Sequence, residues 1–234
     1  MNDTASPATP TELPIQRPSF REELRRQRWD DHRYYHHSRI NQALHLFSSI
    51  CFMTTYTLLF LDPGAAALLG WVFAMWSRQI GHFFFEPKGF DAVNGATHEH
   101  KEDIKIGYNL LRKRILLGIW GLIPVALYLK PDLWGLVTPH QDREGYLHNL
   151  TMLWLGLAFA ALAFRTVQLF FIHSVQTGLV WATKILTDPF HDFRIYLKSP
   201  LYLLRGELID PMIHVRHGVE PVEEEPAEPS PVNH

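Results

Sequence analysis

The chain has 234 residues, with 22 Lys and Arg against 24 Asp and Glu and a formal charge of -2, a balance that excludes whole-protein attraction to nucleic acid. Its one cysteine, Cys51, excludes an intrachain disulfide and any thiolate-ligated cluster. The mean hydropathy of -0.08 would suit a soluble protein, but polar residues are crowded at the two ends and dilute an apolar middle.

In chain order, residues 1–18 carry four prolines among small polar residues and are expected to be disordered. They lack the basic segment and apolar core of a secretory signal. A first apolar run extends from about Ala43 to Leu61 and a second from Ala65 to Phe85, with the turn signal Asp62-Pro63-Gly64 between them. A third runs from Ile115 to Leu129, with Pro124 inside it, and a fourth from Leu150 to Ile172. A hydrocarbon layer of roughly 30 Å needs about 20 helical residues, so three runs are full spans and the third is short. None shows the polar face that a soluble bundle needs. The segment Pro189–Tyr202 (PFHDFRIYLKSPLY) is amphipathic and suits the membrane interface. From Gly218 onward the chain is acidic and proline-rich. The expected fold is therefore all-α: a polytopic membrane four-helix bundle with a cytoplasmic loop and interfacial C-terminal helices. One membrane domain would cover 19–217, between disordered tails at 1–18 and 218–234.

Basic residues set the orientation. The N-terminal segment, the loop after the second run and the C-terminal segment together hold 18 Lys and Arg outside the apolar runs, and the opposite side holds two, Lys130 and Arg143. Both termini are expected in the cytoplasm, in a bacterial inner membrane or the endoplasmic reticulum.

This topology sorts the 14 histidines by depth. His36, His37, His45, His82, His98, His100 and His173 fall in one layer at the cytoplasmic face, and His140 and His148 fall opposite. A first helix starting a little before its apolar run would carry His37, Asn41 and His45 on one stripe at four-residue steps, and Arg78, His82 and Glu86 repeat that step. Imidazole and carboxylate ligands with open positions suit non-haem iron, zinc or manganese.

The run Tyr35-His36-His37-Ser38-Arg39-Ile40-Asn41-Gln42-Ala43-Leu44-His45 reads HHxxxNxxxH, and Ile80-Gly81-His82-Phe83-Phe84-Phe85-Glu86 reads GHxxxE. In this order and at matching helix ends, the pair resembles the signatures of the 2-hydroxy fatty acid dioxygenase family, whose members act in fungal sphingoid-base degradation and have bacterial relatives. The resemblance covers roughly residues 33 to 94. It implies a small membrane enzyme that uses Fe(2+) and molecular oxygen to shorten a 2-hydroxy fatty acid by one carbon. It points to His36, His37, Asn41, His45, His82 and Glu86, and the neighbouring loop adds His98 and His100 as candidate metal ligands. Asn41 and Glu86 suit a supporting shell around the imidazoles, and Arg78 suits the substrate carboxylate. The partners would be a lipid or fatty acid substrate, oxygen and membrane lipids, and the sequence leaves the oligomeric state open. Two alternatives stand beside this reading. One is a di-iron hydroxylase or desaturase, whose HxxHH-type boxes are absent. The other is a non-enzymatic membrane subunit with haem or metal between His45 and His82.

Overall fold

Helix starts follow from short polar side chains that satisfy the free N–H groups of a first turn. Ser19 and Glu22 form a reciprocal capping box, and the side chains of Ser38, Asp62, Asn109, Asp142 and Ser174 each accept a backbone N–H three residues on. In the computed structural model, which describes residues 17–86, 89–91 and 94–211, these caps open α1 (Phe20–Tyr35), α2 (Arg39–Leu58), α3 (Pro63–Leu68), α6 (Leu110–Leu129), α7 (Arg143–Ile172) and α8 (Val175–Tyr196). Helix α3 continues without a break through π1 (Leu69–Met75), α4 (Trp76–Ile80) and π2 (Gly81–Phe85), the backbone staying helical at each junction. Two short helices, α5 (His98–Asp103) and α9 (Ser199–Leu204), complete the set. The fold is all-helical, and the described residues include no strand beyond two isolated bridges, Ser38 with Ile209 and Asp91 with Ala96.

Helix α2 is the hub. It packs against the whole rod from α3 to π2 on one side and against α8 and α9 on the other, and α7 packs on α3, α6 and α8. A Trp cluster fixes the end remote from the α1–α2 junction. Trp71 stacks on Trp120 with ring centroids 4.7 Å apart, and Trp154 Nε1 donates to the Trp120 carbonyl at 3.1 Å. Leu127 and Leu150 fill the space around them. Trp71 and Trp154 are thus core residues.

Among the described residues one helix, α7, is long and apolar enough to cross a membrane. The other three expected spans differ from it in make. Helix α2 carries His45, Ser48, Ser49 and Thr55 on a buried polar face. The second run alternates between α and π turns, and α6 begins at Leu110, with Arg112, Lys113 and Arg114 in its opening turns. Helix α6 is therefore 20 residues long, its apolar run preceded by these charged turns. The amphipathic segment Pro189–Tyr202 belongs to α8 and α9, and α8 packs against α1, α2 and α7. Of the two tails, Arg17 and Pro18 are described and the rest lies outside the described residues.

Candidate metal centre

Three imidazoles meet where α1, α2 and π2 converge. The ring nitrogens that His36, His45 and His82 can offer lie within 4.8 Å of one another. Ring centroids are 4.0 Å apart for His36 and His45, 5.2 Å for His36 and His82, and 5.0 Å for His45 and His82. His45 is fully buried and His36 nearly so, and neither nitrogen of either ring has a hydrogen-bond partner. Buried polar atoms are nearly always bonded, so unbonded nitrogens on two buried rings, each ring able to turn one of them toward the shared point, call for an occupant. A cation that takes imidazole fits that demand, and three ligands leave positions open for other groups.

Local sequence explains why His36 enters the cluster and His37 does not. Ser38 caps α2, so the helix begins at Arg39 and both histidines lie before it in non-helical backbone. Consecutive residues there point apart. His37 turns toward Asp91, its Nδ1 3.3 Å from the Arg33 carbonyl and 3.9 Å from Asp91 Oδ2. The expected His37–Asn41–His45 stripe therefore fails at its first member, because His37 is not in the helix. The first turn of α2 instead grips the junction. Asn41 Nδ2 donates to the Tyr35 carbonyl at 2.6 Å, and Gln42 Nε2 to the His36 carbonyl at 2.9 Å.

The C-terminal segment straps the same junction. Asp210 N donates to the His37 carbonyl at 2.7 Å, Arg39 N to the Leu208 carbonyl at 2.9 Å, and the Asp210 carboxylate takes Arg39 at 2.8 Å and Gln42 at 2.7 Å. On the opposite side α2 and π2 touch at Gly81. A Cβ there would collide with Asn41 Oδ1 and stand 3.5 Å from His45 Cδ2, so this helix crossing requires glycine.

Carboxylates back two of the three rings. Glu86 Oε2 receives His82 Nδ1–H at 2.8 Å, which directs Nε2 toward the other imidazoles. Asp192 Oδ2 stands 3.5 Å from His45 Nδ1 and pairs with Arg78 at 2.5 Å. Arg78, expected to meet a substrate carboxylate, is thus committed to a protein carboxylate. Burial first, and then the neighbouring His45 and His82, hold His36 well below the usual imidazole range, in the neutral form that a metal requires. Burial likewise lowers His32 to about 3. His32 Nδ1 meets the Tyr196 hydroxyl, and Tyr196 sets its ring edge-on to His32, His36 and His45.

His98 and His100 do not join the cluster. They lie on α5, where His100 is exposed and its ring is 6.3 Å from Tyr34. Arg165 donates to the carbonyls of Ile106 and Gly107 and to Gln168, and so braces the loop before α6.

Sequence reasoning missed the face of α8 that closes the site. Lys184, Asp188, Asp192 and Tyr196 recur every four residues, and all four are buried. Lys184 bridges Asp188 and Asp31, and Arg28 reaches Asp188 at 3.3 Å. Burial alone would raise Asp31, yet Lys184 beside it keeps the carboxyl well below its ordinary range. The spacing was present in the sequence as a polar stripe on an apolar helix, the mark of a face turned to polar partners.

No protein-family model, curated protein or solved structure matches the chain.

Proposed function

We propose that this protein is a membrane-embedded, non-haem iron(II) oxygenase that shortens 2-hydroxy fatty acids by one carbon. The carrying observation is the convergence of His36, His45 and His82, with the ring nitrogens of His36 and His45 buried and unbonded. The HHxxxNxxxH and GHxxxE signatures include these three residues together with Asn41 and Glu86, and also His37, which turns away from the cluster.

His36, His45 and His82 would hold the iron, with Glu86 fixing the tautomer of His82 and Asp192 standing behind His45. Iron(II), when bound, supplies oxygen activation beside a substrate whose hydroxyl and carboxylate can both reach it. The chain itself excludes water, keeps the imidazoles neutral and fixes their directions through Asn41, Gln42 and the Asp210 strap. The overall reaction balances as a 2-hydroxy acid and one oxygen molecule giving the shorter acid, carbon dioxide and water.

Four membrane spans, at about 43–61, 65–85, 115–129 and 150–172 with both termini cytoplasmic, belong to the same proposal. Large apolar side chains stand exposed along these helices, among them Phe47, Phe73, Leu122, Val125, Phe164 and Phe171. A belt of that extent is untenable in water and ordinary against lipid. A haem between His45 and His82 is less well supported, because the His36 ring stands close to both, where a porphyrin would have to lie.

Anaerobically purified protein should carry iron without a Soret band. With a long-chain 2-hydroxy acid it should consume oxygen and release the acid one carbon shorter, leaving the matched plain acid untouched. Oxygen inserted into the plain acid would instead establish a hydroxylase. A Soret band would establish the haem alternative.

A further inference from the structure

A cavity of about 650 Å³ leads away from the histidine cluster between α2, the α3–π2 rod, α6, α7 and α8. That volume is within the roughly 300–1,000 Å³ typical of small-molecule sites. Its walls change character along their length. His82, Arg78 and Lys113 line it near the cluster, and Trp71, Trp120 and Trp154 line it at the far end. Such a space suits a ligand with one polar head and one long apolar tail.

The charges that line the cavity decide the sign of that head. Arg78 is paired with Asp192 at 2.5 Å, and Lys184 with both Asp31 and Asp188. Lys105 is paired with Glu102 at 3.1 Å, and Asp30 with Arg33 at 3.1 Å. Lys113 alone among these lining charges makes no hydrogen bond or ion pair through its ammonium with any described residue. It sits two residues before the apolar run that begins at Ile115, at the cluster end of α6. Burial, and after it the charge of Lys105, lowers the Lys113 ammonium to about 8. A half-buried ammonium with no carboxylate in direct contact is costly in a folded protein unless a ligand completes it.

We infer that Lys113 is the anion anchor of this cavity, receiving the carboxylate of a single-chain fatty acid whose tail extends along the apolar walls to the tryptophans. The inference rests on the proposed function for its choice of carboxylate over other anions. It transfers to Lys113 the task for which Arg78 looked suited in sequence.

Binding without turnover tests this assignment. Full-length protein in nanodiscs is loaded with a dansyl-labelled fatty acid, and palmitate, cetyl alcohol and cetyl phosphate compete for it. Wild type should prefer palmitate over the alcohol of equal length. Lys113→Met should weaken palmitate by roughly thirtyfold or more while sparing the alcohol, as expected when a desolvated charge pair is lost. Lys113→Arg should keep the preference, and Arg114→Met, which removes an exposed charge one residue along, should leave it unchanged. Iron content is measured on every variant and should stay at the wild-type level. Palmitate preference surviving in Lys113→Met would overturn the anchor, whatever turnover shows. Cetyl phosphate outcompeting palmitate about tenfold would overturn the carboxylate and indicate a lipid phosphate. Lys113-dependent palmitate binding in a protein that never turns over 2-hydroxy acids would support the anchor and defeat the oxygenase reading.

Discussion

The two ends of this helical bundle are held by different physics. At the tryptophan end Trp71, Trp120, Leu127, Leu150 and Trp154 pack by area, with a single indole hydrogen bond among the rings. At the histidine end almost every contact is a directed pair: Asn41 on a carbonyl, Gln42 on another, Arg78 on Asp192, Lys184 on Asp31 and Asp188. Packing by area tolerates small changes of shape, whereas directed pairs fix angles. The second kind is what a ligand sphere needs, since metal ligands and their supports must point as well as fill. The ring nitrogens of His36 and His45 left without partners stand among these directed pairs.

Three substitutions separate the ends. The largest effect is expected from His45→Ala, which should abolish metal binding measured by elemental analysis, whereas His148→Ala, on α7 far along the chain from the cluster, should leave metal content unchanged. Loss from both would mean that the site is not where these rings converge. Next, Asp192→Leu leaves the Arg78 guanidinium without its carboxylate, at about 3 kcal/mol for a buried pair broken on one side. The variant should unfold at markedly lower temperature or denaturant, and Asp192→Leu combined with Arg78→Met should recover much of the loss. A double variant no better than the single would show that the pair is not the source of the cost. The smallest effect is expected from Trp154→Phe, which removes one hydrogen bond to the Trp120 carbonyl for about 1 kcal/mol. Thermal stability should fall slightly with iron content intact. If iron were lost instead, the two ends would be coupled more tightly than their separate contacts imply.

Sequence reached the helical architecture because apolar runs and caps are local signals, and it reached His45 and His82 because four-residue steps on a helix face need no tertiary knowledge. It missed the choice between His36 and His37, which turns on whether α2 starts before or after Ser38. Ser38 is a good cap, and giving it that role would have taken His37 off the helical stripe. The role of Arg78 was illegible for another reason: its partner Asp192 is 114 residues away, and nothing local forecasts such a pairing. The same holds for Asp210, whose strap over the histidine junction comes from a segment with no regular structure of its own. His98 and His100 were drawn in by depth alone, and depth does not say toward which neighbour a side chain turns.

The rod from Pro63 to Phe85 has one further consequence. Its π1 and π2 segments close their hydrogen bonds one residue later than an α-helix does, so each turn there takes in more chain before coming round. Side chains beyond Leu69–Met75 are thereby rotated relative to where an unbroken α-helix would present them, and His82 meets His36 and His45 after that rotation. The bearing of His82 is thus set upstream, by residue count rather than residue type. Shortening π1 by a single position would turn this ligand off its heading while every side chain of the centre kept its identity.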